Sequence, residues 1–74
     1  MEPPARIGQN RPSLRELWHS LSEKEKRIIK AERHIEARSF MSAYRAYQKT
    51  EDPQFIDMML DNVMILRQRL EGKL

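Results

Sequence analysis

The four residues Thr50-Glu51-Asp52-Pro53 constrain the fold of this chain more than any other stretch. Proline disfavours the helical conformation in the residue before it, so a helix that arrives at this point must end by about Thr50. An aspartate can cap the next helix by accepting a hydrogen bond from its first turn, and a proline at the first helical position has no amide to leave unpaired. The sequence therefore predicts two antiparallel helices that meet at a tight turn over residues 50–53.

The chain is short, and its composition offers few ways to stabilise a core. It has 74 residues, and residues 1–12 hold three of its four prolines, so we predict a flexible tail there. A domain of about 60 residues buries only about 60% of its unfolded surface, and the absence of cysteine excludes disulfides and thiolate metal sites. Tight helix packing and self-association remain as sources of stability.

No apolar run in the sequence approaches the roughly 20 residues that span a bilayer. The first ten residues also lack the apolar stretch of a signal peptide. The sequence therefore predicts a soluble, cytoplasmic protein with no membrane partner.

Two sequence patterns mark helix starts in the first half of the chain. Ser13 is followed by Glu16 and Ser22 by Glu25, which is the spacing of a capping box. We predict an all-α fold with a single helical domain over residues 13–74 and helices at about 14–20, 22–49 and 53–71. The architecture expected is a short N-terminal helix followed by a long antiparallel helical hairpin, completed by self-association.

The apolar residues of the predicted helix 22–49 do not share one face. At 100° per residue Ile28, Ala31 and Ile35 point one way. A second group centres roughly 120 to 160° further round, and it comprises Ala37, Phe40, Met41, Tyr44 and Tyr47. The first half of the helix is thus expected to contact the helix 14–20 or another subunit, and the second half the last helix. A break near residues 36–39 is the alternative interpretation, which the pattern leaves open.

The last predicted helix is apolar over more of its surface than one partner helix can cover. Its main apolar face comprises Phe55, Ile56, Met59, Val63, Leu66 and Leu70. Further apolar residues lie to either side of this face, with Met58 and Ile65 on one side and Leu60 and Met64 on the other. We therefore expect self-association or docking on a larger partner protein, with these candidate binding residues: Phe55, Ile56, Met58, Leu60, Met64 and Ile65.

Catalytic chemistry is not indicated by the sequence. His19 and His34 have no carboxylate or second histidine at a metal-ligand spacing, and the two glycines form no phosphate-binding loop. The serines have no Asp-His arrangement near them in sequence. We expect a protein that is not an enzyme and that uses no metal or cofactor.

Nucleic-acid binding is an alternative, because the positive charge lies in the first half of the chain. Residues 1–38 hold nine basic and six acidic residues, whereas residues 39–74 hold five of each. A basic stripe suffices to neutralise phosphates, and the candidates are Lys26, Arg27, Lys30, Arg33 and Arg38. Four glutamates are interleaved with these cations, so a solvated face of mixed charge is the other interpretation of the same stretch.

The predicted hairpin carries Arg45-Ala46, Phe55-Ile56-Asp57 and Val63. Aligned without gaps on these residues, the segment 42–70 resembles the Sda-type inhibitors of sporulation histidine kinases, which are small proteins built on a helical hairpin. The sequence departs from that pattern at Glu51, where a leucine is expected, and at residues 64–66, where an arginine-rich end is expected. The resemblance implies a hairpin that docks on a kinase dimerisation domain with Phe55 and Ile56 at the contact.

The features together predict a small helical interaction or regulatory protein. It is expected to bind and modulate a partner protein through the apolar surface of its C-terminal hairpin. The alternatives are a nucleic-acid-binding accessory protein that uses the basic residues 24–38, and a structural or assembly subunit.

Overall fold

The computed structural model describes residues 11–73 and is helical, with no strand among those residues. Four helices follow one another with short connections: α1 (Leu14–His19), α2 (Glu23–Ala31), α3 (Ile35–Thr50) and α4 (Gln54–Leu70). The predicted all-α class is confirmed, but residues 11–73 hold four helices where the sequence predicted three. Residues 1–10 of the predicted tail and residue 74 lie outside the described residues.

The first two helices begin at the capping boxes that the sequence predicted. The Ser13 hydroxyl accepts from the amide of Glu16, and the Glu16 carboxylate accepts from the amide of Ser13 over 2.9 Å. Ser22 and Glu25 form the same reciprocal pair, with 2.8 Å between the Ser22 amide and the Glu25 carboxylate. Each box pairs two amides that have no partner inside the helix, which sets the starts of α1 and α2.

The predicted turn between the last two helices is also present. Helix α3 ends at Thr50, and Glu51 adopts a left-handed conformation with φ of 57°. The Asp52 carboxylate accepts a hydrogen bond from the amide of Gln54 over 3.0 Å, and Pro53 already has helical φ and ψ. Aspartate and proline therefore play the roles that the sequence predicts, within one residue of the expected start.

The prediction of one continuous helix over residues 22–49 is wrong. The chain leaves the helix at Glu32, whose φ of 52° and ψ of 45° are left-handed. The amides of Glu32 and Arg33 bond back to the carbonyls of Ile29 and Ile28, so the end of α2 is a Schellman motif without glycine. The change of apolar face along 22–49 was the sequence signal for this break, but the break lies at residues 32–34 and not at 36–39.

The core is formed where α1 and α2 pack on one face of the α3–α4 hairpin. Helices α3 and α4 contact each other along their length. The rings of Trp18 from α1 and Phe40 from α3 lie 6.3 Å apart, which joins the two layers. The buried apolar residues are Leu17, Leu21, Ile28, Ile29, Ala37, Phe40, Ala43, Ile56, Met59, Val63 and Leu66. The predicted main face of the last helix is therefore confirmed as core, with Phe55 and Leu70 at its half-buried margin.

Two ion pairs attach α4 to the preceding helices. The Arg67 guanidinium donates to the Glu25 carboxylate of α2 over 2.8 Å and also reaches the Ser20 carbonyl at 3.4 Å. The Arg69 guanidinium makes a second two-pronged pair with Glu36 of α3, a residue that is only 3% exposed. Both arginines lie in the last turn of α4 as predicted, but each is also the counterion of a buried carboxylate.

A third ion pair holds the start of the described chain against α4. The Arg11 guanidinium donates to both Asp57 carboxylate oxygens, with distances of 2.8 and 2.7 Å. This contact attaches Arg11, the first of the described residues, to α4.

Candidate protein-binding surface

The six predicted binding residues of the last helix occupy three different environments. Ile56 is 3% exposed and belongs to the core, so it is not available for binding at the surface. Phe55 and Leu60 are half-buried against that core. The other three are exposed on α4: Met58 (46%), Met64 (60%) and Ile65 (40%). The exposed apolar surface that the sequence predicts is present, but without Ile56.

Met58 and Ile65 lie on the side of α4 that faces away from α1 and α2. They are seven residues apart and so share one side of the helix. Arg67 points toward α1 and α2, where it contacts Ser20 and Glu25. At 100° per residue, Met58 and Ile65 are roughly 160 to 180° round from Arg67. They therefore occupy the face of the hairpin that α1 and α2 leave uncovered.

Helix α3 contributes the other half of this uncovered face. Tyr44 points toward α1, with which it lines a cleft. The residues on the opposite side of α3 are Ile35, Ser39 and Ala46, with Ser42 beside them. We call this surface the hairpin face, and it comprises Ile35, Ser39, Ser42 and Ala46 of α3 and Met58, Asn62, Ile65 and Arg69 of α4, where the charge of Arg69 is paired with Glu36.

Ile35 was missed as a surface residue by the sequence analysis. The continuous helix placed it on one face with Ile28 and Ala31, whereas it is 64% exposed. The left-handed residue Glu32 redirects the chain between Ala31 and Ile35, so the two no longer belong to one helical surface. Only the position of the break would have revealed this exposure.

Leu60 and Met64 form a second, smaller apolar patch on the opposite side of α4, which we call the edge patch. Two ion pairs border it, Asp57 with Arg11 and Arg67 with Glu25. The arginine hydrogen bonds lower the pKa of the Asp57 and Glu25 carboxyl groups below their ordinary values. The patch is therefore apolar at its centre and ionised at its border near neutral pH.

The five basic residues of the alternative site are not on one helix. Lys26 and Lys30 of α2 lie over the Trp18 ring, with 6.0 and 5.7 Å from each ammonium nitrogen to the ring centroid. Lys26 also pairs with Glu23 at 3.6 Å. The remaining three are exposed and form no ion pair within residues 11–73: Arg27 on α2, Arg33 in the connection and Arg38 on α3. The break after Ala31 thus divides the predicted stripe.

A cleft of about 440 Å³ lies between α1 and α3, lined by Leu14, Arg15, Trp18, His19 and Tyr44. Within the described part of the chain no three His, Asp or Glu residues are placed to hold a metal ion. None of the four helices is long and apolar enough to cross a membrane.

Comparison with known proteins returns no matching protein family, no similar curated protein and no similar solved structure. The contact implied by the resemblance to kinase inhibitors involves Phe55 and Ile56. In the folded chain Phe55 is half-buried and Ile56 is buried, so that contact would have to be made chiefly through their exposed neighbours on α4.

Proposed function

We propose that this chain is a small helical interaction protein that binds another protein through the exposed apolar side chains of α4. The observation that carries the proposal is the exposure of Met58, Met64 and Ile65 on a helix whose main apolar face is already buried. These side chains are not needed to close the core. Exposed clusters of large apolar side chains with polar borders are typical of protein-binding surfaces.

The chemistry of α4 also indicates what kind of partner would fit. Methionine is flexible and polarizable, so Met64 in the edge patch can adapt to a partner's apolar side chains. The ion pairs beside the edge patch keep its border charged and hydrated, which favours a partner with a polar rim around an apolar centre. The partner is therefore a folded protein with an apolar ridge or helix of its own.

Site-specific photo-crosslinking tests the proposal. A photoreactive residue is placed at Met64 in the full chain, and the captured protein is identified, purified and titrated against the unmodified chain by calorimetry. We expect Met64→Asp to weaken this purified interaction about tenfold or more, since a charge would be buried in an apolar contact.

Gln68→Asp is the matched control, because Gln68 is an exposed residue one turn further along α4. It introduces the same charge outside the edge patch and should change the affinity less than about twofold. Equal effects of the two variants, or the absence of any purified partner that binds directly, would refute the proposal.

A second candidate function is nucleic-acid binding, favoured by the exposed cations Arg27, Arg33 and Arg38 that have no carboxylate partner within residues 11–73. Replacing all three with glutamine should weaken binding to a labelled duplex. It should also reduce the slope of log affinity against log salt by about 1 for each phosphate that is no longer neutralised. Affinity that does not change between about 50 and 200 mM salt would exclude this candidate.

A further inference from the structure

The two helices of the hairpin face differ in the size of the side chains that they expose. Its α4 half carries the large side chains Met58 and Ile65, while its α3 half carries mainly the small residues Ser39, Ser42 and Ala46. Large side chains on one helix and small ones on the other are the arrangement in which knobs can enter holes. The face is thus complementary in shape to a second copy of itself when α3 of one copy lies over α4 of the other.

The charges that border the hairpin face are also segregated. At 100° per residue, Arg38 and Lys49 lie along its outer α3 border and Asp61 along its outer α4 border. All three are exposed, and none forms an ion pair within residues 11–73. One border is therefore basic and the other acidic.

The two ends of the hairpin set the register between these borders. The Glu36–Arg69 pair joins the start of α3 to the end of α4, so residues whose numbers sum to about 105 lie at the same level. On this spacing Met58 is level with Ala46 and Ile65 with Ser39. Asp61 lies between the levels of Arg38 and Lys49.

We propose that the hairpin face is covered by a second copy of this chain, in a two-fold dimer whose axis runs parallel to the helices. Rotation about that axis places α3 over α4 of the second copy and the basic border over the acidic one. Met58 and Ile65 of each copy then contact Ala46 and Ser39 of the other, and Asp61 meets Arg38 and Lys49. The product is an antiparallel four-helix bundle with α1 and α2 outside it.

The alternative two-fold arrangement, with its axis across the helices, is disfavoured by charge. It would set Arg38 of one copy near Lys49 of the other and Asp61 near its own copy, and like charges placed opposite each other destabilise an interface. The face is about 24 Å long, the length of the 16 residues of α3, and two helices wide. A face of that size suits a dimer of modest affinity rather than an obligate one.

This inference rests on the proposed function, because it assigns the hairpin face, one of the two apolar surfaces of α4, to a second copy of the chain. The second copy occupies the hairpin face, and the edge patch of Leu60 and Met64 stays open for the different protein. The two ideas fail separately, since self-association is measured on the pure chain and partner binding is measured with the captured protein.

Sedimentation equilibrium of the full chain from about 1 to 500 µM tests the dimer. The expected mass rises from 8.9 kDa toward about 18 kDa with concentration. Lys49→Glu and Asp61→Lys should each weaken self-association about tenfold, because each places like charges against each other. An equimolar mixture of the two variants should dimerise more tightly than either variant alone, since residues 49 and 61 carry opposite charges at both of their contacts in the mixed dimer.

Lys24→Glu is the matched control, because it makes the same charge change at an exposed residue of α2, away from the hairpin face. It should leave the dimer constant unchanged. A mass of 8.9 kDa throughout the range would overturn the inference. So would self-association that the two charge variants do not weaken, or a mixture that dimerises no more tightly than either variant alone.

Discussion

The Glu25 carboxylate is bonded at the same time to the guanidinium of Arg67 and to the amide of Ser22, each over 2.8 Å. One side chain therefore caps the start of α2 and attaches that helix to α4, which lies 42 residues further along the chain. The hydrogen bond from Arg67 is the main reason that the pKa of Glu25 lies below its ordinary value.

We predict that Glu25→Gln lowers the free energy of unfolding by about 1 to 3 kcal/mol, since Arg67 loses its charged acceptor. Urea denaturation of both proteins at neutral pH measures the difference. Glu23→Gln is the control, because the Glu23 side chain is 84% exposed and its pair with Lys26 spans 3.6 Å. A loss as large in the control would show that the Arg67 contact is not the cause.

The same carboxylates predict how stability depends on pH. The pKa of Glu25 and that of Glu36 are both lowered from 4.5 by their arginine partners. A carboxyl group whose pKa is lowered by folding makes its full contribution to stability when the pH is above its pKa in the unfolded chain. This contribution is lost as the pH falls through its pKa in the folded chain. Melting temperatures should thus decline steeply below about pH 4.5. Glu25→Gln should decline less steeply, and parallel curves would contradict this account.

Phe40 should contribute more to stability than the exposed residues of the same helix. It is 1% exposed, and its ring contacts that of Trp18. Phe40→Ala should cost about 3 to 5 kcal/mol through reduced burial and a cavity. Trp18 is the only tryptophan, so its fluorescence reports unfolding directly. Ser42→Ala, at an exposed position, should change stability by less than about 0.5 kcal/mol. A similar small change for Phe40→Ala would mean that α1 does not cover Phe40.

The two left-handed glutamates predict a gain in stability. Glu32 and Glu51 have φ of 52° and 57°, where a side chain with a β-carbon is strained and glycine is not. Glu51→Gly should therefore stabilise the chain by about 0.5 to 1 kcal/mol, measured by thermal unfolding. Glu32→Gly should gain less, since it also removes the 3.0 Å ion pair with Arg45. Lys49→Gly, inside α3, should instead destabilise by about 1 kcal/mol. Destabilisation by Glu51→Gly would contradict the assigned backbone conformation.

The contact of Lys30 with Trp18 should be visible in fluorescence. The ammonium lies 5.7 Å from the ring centroid, within the range of a cation–π interaction. Lys30→Gln should shift the Trp18 emission and cost about 0.5 kcal/mol, since the contact is exposed to solvent. Lys24→Gln removes a charge of the same helix outside the range of the ring, and its spectrum should match that of the unmodified chain. Identical spectra for all three proteins would exclude the contact.

Local patterns in the sequence were sufficient to predict most helix boundaries. The two capping boxes, the turn at Asp52-Pro53 and the stop at Gly72 all depend on residues within four positions of one another. Such signals act through hydrogen bonds to the nearest amides and carbonyls, so neighbouring residues are enough to read them. The main face of α4 was equally readable, because helical periodicity relates residues that share one side.

The break at Glu32 and the arrangement of the apolar surface were decided by the tertiary structure. No glycine marks the break, and the burial of Ile28 and Ile29 on one side of it and of Phe40 on the other offsets the strain of a left-handed glutamate. The pairing of Glu25 with Arg67 and of Glu36 with Arg69 joins residues 42 and 33 positions apart. Contacts of that kind depend on how helices pack, and periodicity within one helix holds no information about that packing.

For this reason the sequence by itself determined the helical class, three of the helix starts and the excess of apolar surface on α4. Only the packing of α1 and α2 on one face decided which apolar residues beside the main face of α4 stay exposed, among them Met58 and Ile65.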